Sequence, residues 1–476
     1  MTIRGDNRNI VLMTMWSPVL NGRKGPAYLA LADAIAEGVS TGVLRPRDRL
    51  PTQRSLAYEL RLSLNTVSRA YAEATRRGFL EGEVGRGTFV RVTGWQPVEA
   101  QPARMARPLS GPIDFSLNLP FAGNAEAALA QTLESLSHSP VLSSYLHHDR
   151  NDDPRRHMDA GARWMGRLKL PDAGRSVILC NGAQHGLLVA LLALLRPGDV
   201  LLVEALTYAP VKSMARHLGL SLRPVAMDDE GLKPEALDDA CASTRAKVLY
   251  CLPTLHTPTA ITMSEARRRE IAHVVEKRGL TVIEDDVFGF LPVERPPPLA
   301  CFAPHHAVFL TSVSKSIAPG LRVGYLQFPD RLRGALQAAT NMSTWMSPPL
   351  MSEIVSRWII DGTAERLNAE QRNEARARHD MARQVLGPRL PGGDRSGFHV
   401  WLPLPDRWDP DAFCAAARRR GVEVQPASVF AVGDGAAPNA IRLCLSHETS
   451  RDRVRQGLAI IADLFDGAPE DSSLIV

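Results

Sequence analysis

The chain has 476 residues, of which 45% are hydrophobic and 22% charged, and its formal net charge is +5. That length corresponds to about two to four folding units with sizeable cores. No apolar run reaches the ~18 residues of a membrane span, and no cleavage site follows the short run at 10–15, so we expect a cytoplasmic protein without membrane segment or signal peptide. Six scattered cysteines without a CxxC pair favour buried thiols over a metal site or disulfides.

The positive charge is concentrated near the N-terminus. Residues 21–92 carry 12 Arg and Lys against 7 Asp and Glu, so this segment alone accounts for the net charge of the whole chain. A basic excess confined to one small segment is typical of a nucleic-acid-binding module. Because a solvated basic face has the same composition, the charge indicates a DNA-binding unit without establishing one.

Three helices are predicted in this basic segment. The first spans about residues 27–40 and ends at Gly42, the second begins at Pro51-Thr52 with the proline as an early helical residue, and the third begins near Ser63. Apolar residues recur three or four positions apart, as in helices that bury one face. The predicted buried residues are Leu31, Ile35, Val39, Leu56, Leu60, Val67, Ala70, Tyr71 and Ala74.

The other face of the third helix is polar, and a hairpin follows the helix. Near the N-terminus of this helix the polar face carries Asn65, Thr66, Ser68 and Arg69. Such side chains can reach phosphates and base edges in a major groove. The hairpin spans Glu81–Val92, and its tip Gly85-Arg86-Gly87 would present an arginine as a wing. The alternative is a small helical domain with an incidental hairpin.

The stretches LPTQRSLAYEL, LSLNTVSRAY and RRGFLEGEVGRGTFV resemble, in order and spacing, the GntR family of winged helix-turn-helix regulators. The resemblance implies a winged-helix domain over residues 21–92 with double-stranded DNA as its partner. The family often has an arginine just before the Thr-Val run, where this chain has Leu64 and Asn65, so the operator is not predicted. The DNA contacts that the resemblance implies are Arg54, Asn65, Thr66, Ser68, Arg69 and Arg86.

The amino-acid composition and the apolar periodicity of the chain change after the winged helix. Residues 93–112 are rich in proline and small residues without apolar periodicity, which predicts a linker. From Ile113 onward short apolar runs alternate with helical patterns, so we predict a mostly parallel sheet covered by helices. The predicted strands are Ser176–Cys180, Val200–Val203, Val248–Cys251, Leu280–Ile283 and Val308–Leu310.

This second region contains the groups that a phosphorylated aldehyde cofactor needs: a lysine, a carboxylate for its ring nitrogen and donors for its phosphate. Lys315 follows a predicted strand, with a hydroxyl at Ser312 and a guanidinium at Arg322. Three carboxylates at 284–286 end another strand, where α/β sheets bind ligands, although an ordinary acidic loop is the alternative.

Three further features fit the same cofactor less specifically. The run Asn181–Gly186 leads from a strand into an apolar helix, whose N-terminal amides are suited to a phosphate. Tyr208 follows the strand at 200–203 and is either a stacking residue or a core tyrosine. Arg442 lies in a strand-like apolar run, and a buried arginine requires a carboxylate, from a ligand or from an internal ion pair.

Together these positions resemble the fold-type I aminotransferases, most specifically in SVSKSIAPGLRVGYL. The resemblance implies pyridoxal 5'-phosphate (PLP) as cofactor and a domain over residues 113–468, with a large parallel-sheet part and a smaller α+β part over about 346–468. It assigns Lys315 as the catalytic Schiff-base lysine and Asp285 as the partner of the ring nitrogen. Phosphate contacts are implied for Ala183, Gln184, Ser312 and Arg322, ring stacking for Tyr208, an effector carboxylate for Arg442, and a partner-subunit contact for Tyr145.

Two positions depart from the aminotransferase pattern. Thr257 replaces the asparagine that binds the phenolic oxygen of the cofactor, and Phe288 replaces a tyrosine that binds the same oxygen. Each lost hydrogen bond is worth about 0.5–1.5 kcal/mol. We therefore expect the cofactor to bind, while efficient transamination is not expected.

A GntR-type winged helix joined by a linker to an aminotransferase-like domain resembles the MocR subfamily over nearly the whole chain. The resemblance implies a multidomain protein that forms a domain-swapped homodimer and senses an amino compound or PLP. We expect a PLP-dependent, sequence-specific transcriptional regulator with at most weak transaminase activity, in which effector binding closes the small domain and changes the spacing of the two winged helices. The alternatives are a true aminotransferase with an accessory DNA-binding domain and a cofactor-free scaffold.

Overall fold

The computed structural model divides the chain into two compact units, Met1–Arg107 and Pro108–Val476. Arg86 and residues 93–110, and with them the predicted wing tip and most of the linker, lie outside the described residues. No described helix is both long and apolar enough to cross a bilayer. The structure describes residues 16, 18, 26–40, 43–44, 48–77, 79–83, 87–90, 111–121, 123, 125–146, 155–170, 175–392, 396–433, 435 and 437–467.

The N-terminal unit forms the predicted helices and hairpin, in the predicted order. Its elements are α1 (Ala27–Ser40), α2 (Gln53–Glu59), α3 (Leu64–Arg76), β1 (Leu80–Glu83) and β2 (Gly87–Val90). The side chains of Thr52 and Ser63 accept hydrogen bonds from amides of the first turns of α2 and α3. Because Thr52 is the N-cap, Pro51 precedes the helix, and its prediction as an early helical residue is wrong.

The core of this unit is the predicted apolar face of the helices, closed by the hairpin. Val39 and Leu60 are half-buried, whereas the other seven predicted positions are buried. The strands β1 and β2 pair antiparallel, and Arg49 forms a bridge to Phe89 beside them. The main chain at 48–50 therefore pairs with β2 through this isolated bridge, which the sequence did not predict.

The second unit is an α/β fold with a large lobe and a small lobe. Its helices are α4 (Ala125–Ser137), α5 (Arg155–Gly166), α6 (Ala183–Leu194), α7 (Ala209–His217), α8 (Pro234–Ser243), α9 (Glu265–Arg278), α10 (Arg333–Thr344), α11 (Pro349–Asp361), α12 (Thr363–Leu386), α13 (Pro410–Arg419) and α14 (Arg451–Asp466). Its strands are β3 (Ile113–Asp114), β4 (Arg175–Cys180), β5 (Val200–Glu204), β6 (Ser221–Val225), β7 (Met227–Asp228), β8 (Gly231–Leu232), β9 (Val248–Cys251), β10 (Thr281–Asp285), β11 (Ala307–Ser312), β12 (Gly324–Pro329), β13 (His399–Pro403), β14 (Val422–Glu423), β15 (Gln425–Pro426) and β16 (Ala440–Cys444).

The large lobe is built on a seven-stranded sheet in the order β4-β12-β11-β10-β9-β5-β6. The five predicted strands are present and run parallel, whereas β12 pairs antiparallel with both of its neighbours. The carboxyl ends of the parallel strands meet at one edge, where ligands bind in open α/β sheets. The predicted mostly parallel sheet is confirmed, and β6 and β12 are additional strands.

The small lobe contains the sheet β13-β16-β15 and the helices α13 and α14. Its core also includes Ile113 and Phe115, because β3 pairs in parallel with β14. Helix α12 contributes to the cores of both lobes, with Leu367 in the large one and Leu386 in the small one. The change from one core to the other therefore lies along this helix.

Candidate functional site

Lys315 lies in the turn that follows β11 in the large lobe, and it is half-buried. Its Nζ donates a hydrogen bond to the main-chain carbonyl of Asn118 and lies 5.7 Å from the centre of the Phe288 ring. Burial lowers the pKa of Lys315 from 10.5 to about 8, and nearby arginines act in the same direction. At neutral pH an appreciable fraction of this amine is therefore uncharged, as a nucleophile toward a carbonyl carbon must be.

Asp285 is the last residue of β10 and is buried beside this lysine. Its Oδ2 accepts a hydrogen bond of 2.9 Å from the hydroxyl of Tyr250, whereas Oδ1 is buried without a hydrogen-bond partner among the described residues. Burial raises the pKa of the Asp285 carboxyl from 3.8 to about 7. A buried acceptor without a partner is costly, and the protonated nitrogen of a pyridine ring would supply the missing donor.

The N-terminus of α6 forms a cradle for an anion. Gly182 precedes this helix with φ +80°, no side chain caps the helix, and so the first-turn amides of Ala183 and Gln184 have no partner within the helix. A Cβ at Gly182 would lie 2.6 Å from Nη2 of Arg322, which donates to the carbonyl of Asn181. Glycine therefore allows the guanidinium to lie against the helix start.

Strand register brings the predicted hydroxyl to the same cradle. Ser312 at the end of β11 pairs with Gly324 of β12, and Gly324 pairs with Cys180 at the end of β4. The hydroxyl of Ser314, one residue before Lys315, is buried without a partner among the described residues. Amides, a guanidinium and hydroxyls thus meet at one sheet edge, which matches the donor set of a phosphate.

Two of the residues predicted to surround the cofactor ring lie near the lysine or the carboxylate: Phe288 beside Lys315 and Tyr208 beside Asp285. Burial raises the pKa of Tyr208 to about 12, and the charge of Asp285 adds to this shift. Phe288 is buried, with its ring 5.7 Å from that of His399. Thr257 is buried and provides a hydroxyl where the aminotransferase pattern has an amide. Tyr145 lies in the 3₁₀ turn Leu142–Leu146, against the large-lobe core.

Arg442 extends from β16 of the small lobe and is buried. Its Nη2 donates a 2.5 Å hydrogen bond to the carbonyl of Ser116, and its guanidinium carbon lies 4.7 Å from the centre of the Phe430 ring. Its Nε is buried without a partner, and no carboxylate of the described residues forms an ion pair with it. The internal ion pair considered for Arg442 is therefore absent from the described part, and the guanidinium retains a donor for an anion.

The polar face of α3 carries most of the predicted DNA contacts. Arg54 and Asn65 are exposed, and the guanidinium carbon of Arg69 lies 4.1 Å from the centre of the Tyr28 ring. The hydroxyl of Ser68 donates a 2.7 Å hydrogen bond to Gln53. The Ser68 hydroxyl therefore retains only its acceptor capacity for another group, and it orients Gln53, a residue that the sequence did not single out. Thr66 bonds the capping hydroxyl at position 63, 2.8 Å away.

Comparison with known proteins identifies both regions. A family model of bacterial regulatory proteins of the gntR family matches residues 27–90, and one of aminotransferases of class I and II matches residues 128–461. The second match covers more than half of the chain. The chain belongs to the MocR-type regulators.

Relatives with the same arrangement extend over most of the chain. The uncharacterized HTH-type transcriptional regulator YdeF of Bacillus subtilis is 30% identical over 95% of this chain and 97% of its own. The vitamin B6 salvage pathway transcriptional repressor PtsJ of Salmonella typhimurium is 29% identical over 87% of this chain and 93% of its own. A multiple substrate aminotransferase from Thermococcus profundus matches 75% of this chain and 91% of its own with a TM-score of 0.67 and 22% identity, which shows the fold alone.

The sequence analysis did not single out two residues that contact the predicted cofactor residues. Tyr250 lies in the middle of an apolar strand, where an aromatic residue indicates packing, and only the pairing of β9 with β10 brings its hydroxyl to Asp285. Asn118 follows β3, and its side-chain amide donates a 3.0 Å hydrogen bond to Nδ1 of His399. Burial lowers the pKa of His399 to about 3 and keeps that ring neutral.

Proposed function

We propose that this protein is a transcriptional regulator that binds double-stranded DNA through residues 21–92 and senses an amino compound through PLP on Lys315. The observation that carries the proposal is a winged helix in the same chain as a half-buried lysine amine and a buried Asp285 oxygen that lacks a donor. The amine suits an aldehyde and the oxygen suits a protonated ring nitrogen. The domain limits 21–92, 93–112 and 113–468 remain predictions.

Different residues of the site would bind different parts of the cofactor. Lys315 would hold the aldehyde carbon, and Asp285 would accept the hydrogen of the ring nitrogen. Bound there, PLP supplies an electron-withdrawing ring and an aldehyde that exchanges one amine for another. The remaining contacts are assigned by position: the phosphate to Ala183, Gln184, Ser312 and Arg322, the ring faces and the phenolic oxygen to Tyr208, Phe288 and Thr257.

The effector is an amino compound with a carboxylate. Arg442 supports this assignment, since its guanidinium is buried, holds a carbonyl through Nη2 and has an unused Nε. A carboxylate placed against this group gains charge-assisted hydrogen bonds. A ligand changes DNA binding only if it binds one conformation of the protein more tightly than another. Effector binding must therefore favour one arrangement of the small lobe. The functional unit is a homodimer, as two half-sites on DNA require.

A true aminotransferase is the second candidate, because the lysine and its carboxylate are both present. The side chains at positions 257 and 288 argue against efficient turnover. Neither is the hydrogen-bonding group of the aminotransferase pattern, and each missing bond to the phenolic oxygen removes about 0.5–1.5 kcal/mol. Steady keto-acid production would favour the enzyme, whereas a spectral change without turnover favours the sensor.

The proposal is tested by adding PLP to the purified chain, recording visible absorbance, reducing with borohydride and locating the adduct by peptide mass. We expect one reduced adduct at Lys315 and none in Lys315→Arg, while the matched surface variant Lys277→Arg behaves as wild type. Genomic footprinting with and without PLP then tests DNA binding. Absence of any adduct at Lys315 would contradict the sensing function and leave a DNA-binding scaffold.

A further inference from the structure

The segment 111–119 connects the linker to the small lobe, and we call it the strap. Its first half belongs to that lobe: the amides of Ile113 and Phe115 donate to main-chain carbonyls beside and within β14, at 2.8 and 2.7 Å. Arg453 of α14 donates to the carbonyl of Gly111 at 2.8 Å. The point at which the linker enters the second unit is therefore fixed to the small lobe and moves with it.

The second half of the strap runs to the cofactor pocket and presents carbonyl groups to it. The carbonyl of Ser116 accepts from Arg442, which is part of the small lobe, and the carbonyl of Asn118 accepts from Lys315, which is part of the large lobe. The strap thus ties the two lobes together through the amine to which the cofactor attaches. The side-chain amide of Asn118 adds a bond to His399 on β13, so this residue is held from both lobes.

Attachment of an aldehyde changes what Lys315 can donate. Its nitrogen forms a bond to the aldehyde carbon, and the aldehyde oxygen leaves as water with two of the three ammonium hydrogens. The nitrogen then has at most one hydrogen and a planar geometry set by the new double bond. The hydrogen bond to the carbonyl of Asn118 is lost, and this half-buried carbonyl then requires another donor.

A second set of hydrogen bonds joins residues 430–432 to the large lobe without involving the cofactor groups, and Val432 packs in the core of the large sheet. The amide of Thr207 donates to the carbonyl of Phe430 at 2.9 Å, and the amide of Val432 donates to that of Ala205 at 3.0 Å. Lys212 adds a bond of 2.8 Å to the carbonyl of Ala431. Cofactor attachment to Lys315 changes none of the groups in these bonds, so residues 430–432 stay attached to the large lobe when the bond from Lys315 to Asn118 is lost.

We propose that the bond from Lys315 to Asn118 is a latch between the two lobes, which attachment of the cofactor opens. With the latch open, the small lobe and the start of the strap are free to move. The inference rests on the proposed function in one respect, since it requires the cofactor on Lys315. It assigns the lysine a second task, holding the lobes together in the cofactor-free protein.

Hydrogen exchange followed by mass spectrometry on the full chain tests the latch. Exchange of the amides of residues 116–119 reports local release of the strap. In the wild type we expect PLP to accelerate it about tenfold or more, because a hydrogen bond from a charged donor is removed. The strand Arg175–Cys180 is the internal reference, and there bound PLP should slow exchange or leave it unchanged. Strap exchange that is unchanged or slower once the visible band has formed would overturn the proposal.

Two variants separate the latch from the cofactor function. Lys315→Met has no donor and cannot bind an aldehyde, so the strap should exchange fast with and without PLP. Lys315→Arg keeps a donor and cannot form the double bond, so the strap should stay slow in both conditions, and Lys277→Met serves as the surface control. Equal exchange in the two Lys315 variants without PLP would refute the latch. That comparison needs no cofactor, so it stands even if the wild type fails to bind PLP.

Discussion

Replacing Tyr250 by phenylalanine removes the hydrogen-bond donor of the buried Asp285 carboxyl. The hydroxyl lies 2.9 Å from Oδ2, and Oδ1 has no hydrogen-bond partner among the described residues, so the variant removes the side-chain donor of this carboxyl and leaves it only the main-chain amide of Val287. A hydrogen bond to a buried charged group is worth about 1.5–3 kcal/mol, which is about one to two pKa units. The pKa of Asp285, already raised to about 7 by burial, should therefore rise to about 8 or 9.

The cofactor pairs with the ionised carboxylate, so its affinity follows the ionised fraction of Asp285. From the rise of one to two pKa units, Tyr250→Phe should weaken PLP binding about 5- to 50-fold at pH 7. The difference in PLP affinity between the variant and the wild type should become smaller as the pH rises through the new pKa of Asp285, because the Asp285 carboxyl is then ionised in both proteins. The assay is a PLP titration of visible absorbance at about pH 7 and about pH 10.

Tyr325→Phe is the matched control for this experiment. Tyr325 lies in β12 of the same sheet, and its buried hydroxyl has no hydrogen-bond partner among the described residues. Removing that hydroxyl should leave the affinity for PLP unchanged. A Tyr250→Phe protein that binds PLP as tightly as Tyr325→Phe, or whose loss is equal at both pH values, would refute the role given to the tyrosine.

Three further outcomes are expected. Gly182→Ala should weaken PLP binding about tenfold, because φ at this position is +80° and the added Cβ would clash with the Arg322 guanidinium. The control Gly320→Ala has open space around the added Cβ and should bind PLP as the wild type does. Absorbance titrations with PLP compare the two variants. The rate of PLP attachment should rise with pH and level off above about pH 8, because only the neutral amine of Lys315 reacts with the aldehyde. Stopped-flow absorbance at several pH values measures this rate. A rate that does not change with pH would contradict the lowered pKa of Lys315. Asn65→Ala should weaken binding to footprinted sites on the order of tenfold, by fluorescence anisotropy, without changing PLP affinity.

The sequence by itself determined the elements that local patterns encode. Helices with a 3.6-residue apolar period bury the predicted face, and polar residues such as Ser63 begin them, because a capping side chain and its amide are three positions apart. The five strands predicted from apolar runs are present because strands covered on both faces need continuous apolar sequence. Lys315, Asp285 and Arg322 could be proposed as site residues for the same reason, since each belongs to a short motif at a strand end.

Only the tertiary structure decided what those groups touch. Arg442 was compatible with an internal ion pair or a ligand carboxylate, and the fold places it against the carbonyl of Ser116, 326 positions away. The carbonyl of Asn118 meets Lys315 over 197 positions, and Tyr250 reaches Asp285 because β9 lies beside β10. Such contacts depend on strand order and on the packing of one lobe against another. Because both arise from pairings between distant segments, no local period or motif encodes them.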